Sequence, residues 1–207
     1  AQATWVNVND SSIDNQFGSL EIGTLDVRNG SLDNRTGTVN VRNQFNLYEG
    51  ELTNQGQFTV HGLTYLREGT KLVNDRDMTL ADVQLVTNAK LENAAGSSLT
   101  AGKITVQGAG ASIANLSNDA GYGTFTAESV SLSEGASLVN NGGDMLLNAG
   151  EGYNATTADA STIQNINGIV NFGEELSLKN ASSFTNQGFA QATWVNVNDS
   201  SIDNQFG

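Results

Sequence analysis

The chain contains no cysteine and no proline, only nine lysines and arginines, and a single histidine. Without cysteine there is no disulfide scaffold, no thiolate metal site and no thiol nucleophile. With one histidine, His61, a serine triad and a zinc site both lack their parts, and no G-x-S-x-G elbow is present. His61 is expected on the solvated surface, just outside a strand and before Gly62. Nine basic side chains against 22 acidic ones leave a formal net charge of -13. That balance excludes a basic stripe for nucleic-acid phosphates and attraction to anionic membrane surfaces. No apolar run approaches the roughly 20 residues of a membrane span. No signal peptide opens the chain either, and Ala1 begins within a repeating pattern, as expected for a window of a longer protein.

What is present is repetition on two scales. Residues 1–18, AQATWVNVNDSSIDNQFG, return without a change at 190–207. The offset of 189 residues predicts one tandem unit, 1–189, followed by the first coil of the next, 190–207, in a single continuous domain over 1–207. The second repeat is shorter and degenerate. LDVRNGSLDN (25–34), FNLYEGELTN (45–54), VQLVTNAKLEN (83–93) and LSLKNASSFTN (176–186) share one template: apolar, any, apolar, a turn, apolar, any, Asn. Thr64 stands where the template wants its first apolar residue. The closing asparagines are Asn15, Asn34, Asn54, Asn74, Asn93, Asn115, Asn140, Asn165, Asn186 and Asn204, spaced by 18 to 25 residues.

Alternation such as Leu25-Asp26-Val27 is strand periodicity. A further apolar pair precedes it in most coils, as in Leu20 and Ile22 or Phe58 and Val60. The spacing therefore predicts an all-β protein, a parallel β-helix or β-solenoid of about ten coils, with three short strands per coil separated by Gly, Asn or Asp corners. Ten coils at about 4.8 Å would raise each unit by roughly 48 Å. The asparagines are expected to turn inward and hydrogen-bond from coil to coil as a ladder.

No chemistry of an enzyme is found. The acid pairs Asp75/Asp77 and Glu174/Glu175 are each adjacent in sequence and far from one another, unlike the opposed carboxylates of a glycosidase. No Walker loop, EF-hand or calcium nonapeptide occurs, so no cofactor and no metal are expected. Two stretches lengthen their coils, 117–123 and 149–160. Extra length belongs on outward loops, where Tyr122 and Tyr153 are candidate contact residues. Trp5 and Trp194 occupy an outward phase, one per unit, and are candidates for lateral contact between rods.

Segments such as GELTNQGQFTV (50–60) and GASLVNNGG (135–143) resemble the passengers of bacterial autotransporters and filamentous-haemagglutinin-type adhesins. The resemblance covers nearly the whole chain. It implies a right-handed β-helix, an extracellular or outer-surface location, and a part in adhesion, aggregation or biofilm. No catalytic residues carry over. The expected role is a stalk or filament segment of a secreted or cell-surface adhesin. Its expected partners are identical repeats end to end, other rods laterally, and host-cell or matrix glycans. The alternatives are a β-helix carbohydrate-active enzyme and direct glycan or cell binding through the inserted loops.

Overall fold

The computed structural model describes residues 1–119, 121–150 and 154–205. Every described regular element is a strand. The strands stack in parallel as a β-solenoid of about ten turns. Residues one coil apart face each other in register, so sequence positions about 20 apart form columns. One inward column runs Leu25, Phe45, Thr64, Val83, Ile104, Val130, Thr156 and Leu176, and all of these are buried. The hydrophobic effect drives this arrangement, because a lone three-residue apolar run buries little until the next coil covers it. Phe45 closes against Phe58 edge to face, with ring centroids 5.3 Å apart.

Ten-residue strands such as Ser19–Arg28, Thr38–Leu47 and Gln57–Leu66 alternate with four-residue strands such as Ser31–Asn34, Glu51–Asn54 and Lys71–Asn74. From Ser19–Arg28 to Thr124–Ser133 the two apolar pairs at the front of a coil thus share one hydrogen-bonded element that bends midway, whereas in the later coils they fall in separate strands, as in Asp144–Leu147 and Ala155–Asp159. His61 lies inside Gln57–Leu66 rather than outside a strand, and its side chain is exposed. Coils of 19 and 20 residues differ at this bend. The register shifts between Ile22 and Thr24 and between Val60 and Leu63, so one extra residue is absorbed as a bulge and the core columns stay aligned.

At the bend the chains approach so closely that a Cβ on Gly62 would lie 1.6 Å from the Asn43 carbonyl oxygen. The next corner is different. There nearly every coil passes through a left-handed residue: Asp10, Asn29, Gly50, Gly69, Asn88, Gly108, Glu134, Ala160, Asn180 and Asp199 all have positive φ. Asn, Asp and Gly tolerate that conformation best, which accounts for much of their abundance.

The unit closes in nine ladder steps rather than ten, because Asn204 is the first position of the next repeat. The rise per 189-residue unit is therefore about 43 Å at about 4.8 Å per step, not the 48 Å expected from ten coils.

Thr64 takes its apolar neighbours' place in the core, and its hydroxyl has no hydrogen-bond partner. Thr64→Val keeps the shape and removes the orphaned donor. It is expected to raise stability by about 1 kcal/mol, read from urea midpoints at constant slope. An unchanged or lower midpoint would show that the hydroxyl is satisfied in solution.

Candidate functional site

The asparagines occupy one corner, each two residues after an apolar residue, as in Leu32 and Asn34 or Leu91 and Asn93. Asn34, Asn54, Asn74, Asn93, Asn115, Asn140 and Asn165 are fully buried. In every step the Nδ2 of one coil donates to the Oδ1 of the next, from Asn15 to Asn34 at 2.9 Å through to Asn186 and Asn204 at 2.8 Å. Each amide also ties down backbone. Asn54 Nδ2 donates to the Gly56 carbonyl at 3.1 Å and to the Asp77 carbonyl at 2.9 Å. Asn93 serves Ser97, Asn115 and Thr124 in the same way. All donors point toward the C-terminal end of the stack, so amide dipoles line up and each bond polarises the next.

A glycine column lies over this ladder. A Cβ at Gly168 would sit 2.2 Å from Asn140 Nδ2, and one at Gly37 would sit 2.4 Å from Asn15 Nδ2. The recurring Asn-x-Gly and Asn-x-x-Gly spacing is the signal that could have located these glycines beside the amides.

Trp5 and Trp194 are both about two-thirds exposed. Trp5 is also tied to its own rod, because its Nε1 donates to the Asp26 carboxylate one coil on at 2.7 Å. Asn46 donates to the other oxygen of Asp26 at 2.6 Å.

The two insertions differ. At the first, Gly121–Tyr122 folds back antiparallel on Ser112–Asn118 as a small hairpin, and Tyr122 is exposed. At the second, the expected loop 149–160 is too long. Ala155–Asp159 is a regular solenoid strand paired with Val130–Ser133, and Thr156 and Ala158 enter the core. Their weak apolar character disguised them. Residues 151–153, Tyr153 among them, lie outside the described residues. A deletion of 151–159 would therefore remove core.

Glu174 is exposed and Glu175 half-buried, and Asp75 and Asp77 are exposed at or beside the start of Asp77–Val86. The structure does not bring these two pairs together. Among the described residues no group of three or more His, Cys, Asp or Glu side chains could hold a metal ion. Lys71 pairs across coils with Glu92 at 2.9 Å. The hydrogen bond that the Lys71 ammonium donates to the Glu92 carboxylate holds its pKa above the ordinary lysine value.

A second column went unrecognised in the sequence. Arg28, Tyr48 and Arg67 each follow the last inward residue of a long strand, and they stack. Arg28 and Arg67 lie 4.8 Å and 4.9 Å from the Tyr48 ring centroid, and Arg67 also lies 4.8 Å from that of Tyr65. No family model, curated protein or solved structure matches the chain.

Proposed function

We propose that the chain is a segment of a stalk or filament of a bacterial surface adhesin, a tandem spacer that holds a binding part away from the cell. The carrying observation is the junction between units. Residues 190–207 pair with the coil before them through Leu176 with Val195, Leu178 with Val197, and Asn186 with Asn204. The identical residues 1–18 pair with the coil after them through Val6 with Leu25, Val8 with Val27, and Asn15 with Asn34. One coil sequence therefore meets both neighbours in register, and units can join without a break in core, strand pairing or ladder. Length then scales with unit number at no cost in new interfaces.

The net charge favours solubility of such a rod outside the cell. One Trp per unit, recurring about every 43 Å, supplies regularly spaced lateral contacts between rods, each weak and strong only in number. The test is an array of one, two and four units displayed on a cell with a defined binding module at its tip. Capture of a ligand shielded by a surface polymer should rise with unit number. The array without the tip module should capture nothing by reach alone. Trp5→Ser in every unit should leave reach intact and reduce bundling. Capture independent of unit number would sink the spacer reading.

A further inference from the structure

The Arg28–Tyr48–Arg67 stack runs along the outer face of three successive coils. It stands beside a cleft of about 380 Å³ lined by Asn7, Asn9, Asp10, Asp26, Arg28 and Tyr48. We propose that this face binds an acidic polysaccharide laid along the solenoid axis, with the two guanidiniums holding carboxylates on alternate sugars.

Three observations carry this. First, the guanidiniums are unspent. Among the described residues the ion pairs are Arg35 with Asp33, Arg42 with Glu21 and Lys71 with Glu92, and neither Arg28 nor Arg67 makes a side-chain hydrogen bond. The carboxylates nearest in the cleft are already committed: Asp26 accepts from Trp5 and Asn46, and Asp10 accepts from Asn29 at 2.6 Å. Glu49 and Glu68 follow Tyr48 and Arg67 at exposed turns and leave both cations unpaired. Second, the guanidiniums are positioned. Both guanidiniums are held over the Tyr48 ring, at 4.8 and 4.9 Å from its centroid, from the coils before and after it, and a contact to a ring leaves N–H groups available for bidentate pairing with a carboxylate. They stand two coils apart, roughly 10 Å along the axis. An alternating acidic polysaccharide presents one carboxylate per two sugars along a straight chain, which matches two guanidiniums set along a straight rod. Third, Asn7 and Asn9 are exposed in the cleft and offer amides to hydroxyls. The strands that carry Arg28, Tyr48 and Arg67 pair with the coils on both sides of them, so a peptide finds no backbone edge to extend beside the guanidiniums.

The site lies within the first four coils and does not depend on tandem repetition. The test is calorimetric titration of the full chain at low ionic strength. One arm uses an oligosaccharide of alternating glucuronate and N-acetylglucosamine. A second uses a neutral chito-oligosaccharide of equal length, and a third uses an oligoglutamate peptide. The acidic sugar should bind and the other two should not. Arg28→Gln with Arg67→Gln, both on exposed side chains, should weaken binding at least tenfold. Tyr48→Leu should weaken it although both charges remain, whereas Lys179→Gln should change nothing. Binding of the neutral sugar or of the peptide at equal strength would overturn the proposal. So would undiminished binding by the double variant or by Tyr48→Leu, or no binding of the acidic sugar at all.

Discussion

Asn93→Asp is expected to lower stability at pH 7 by about 3–5 kcal/mol, and most of that loss is expected to vanish by pH 4. Asn93 sits mid-ladder with no exposed surface. Its Oδ1 accepts from Asn74 at 2.8 Å, and its Nδ2 donates to three oxygens, those of Ser97, Asn115 and Thr124. A carboxylate keeps the first bond and turns a charged oxygen toward the other three, with no solvent to screen it. Burial and the facing acceptors favour the protonated acid, so the folded-state pKa of this Asp rises above its unfolded value of about 3.9. The sign follows. The penalty is full above the raised folded value, shrinks as pH falls through it, and is absent below the unfolded value. Asn93→Ala lacks the charge and should cost about 1–3 kcal/mol at both pH values. Gln84→Ala, on the exposed outer face of the same coil, should stay within about 0.5 kcal/mol. Urea unfolding at pH 7 and pH 4 separates the cases. Equal losses for Asn93→Ala and Gln84→Ala would mean that the ladder contributes nothing.

Gly62→Ala is expected to cost about 3 kcal/mol, at the upper end of what overpacking imposes. The new methyl would meet a main-chain oxygen, at 1.6 Å, and main chain cannot rotate aside as a side chain would. Relief requires the bend of Gln57–Leu66 to separate from that of Thr38–Leu47, with local loss of parallel pairing. Gly69→Ala is the contrast. Gly69 has a positive φ of 74° and nothing within 4 Å of its would-be Cβ, so only the left-handed backbone is penalised, by about 1 kcal/mol. Melting curves of both variants check the ranking. A larger loss for Gly69→Ala would show that backbone conformation, not coil-to-coil approach, limits these corners.

The solenoid was legible because its columns write themselves into the sequence at a nearly constant offset. Leu25-Asp26-Val27 and its counterparts mark the inward rows, and each Asn marks the corner after them. The merger of two strands into Ser19–Arg28 was not legible. Gly23 reads as a break, whereas the backbone continues to pair through a bulge there. Thr156 and Ala158 escaped notice because neither is strongly apolar and a lengthened segment precedes them. The Arg28–Tyr48–Arg67 stack depends on neighbours about 20 residues apart on the outer face, where no apolar pattern constrains residue type. Sequence periodicity thus reports the interior well and the outer face poorly.

Small-angle X-ray scattering on arrays of one, two and four 189-residue units tests the central claim most directly. If units join coil on coil through the 190–207 seam, the cross-section stays constant and the longest dimension grows by about 43 Å per unit. A cross-section that widens with unit number, or a length increment far below that value, would mean that units fold as separate bodies and that the continuous rod does not exist.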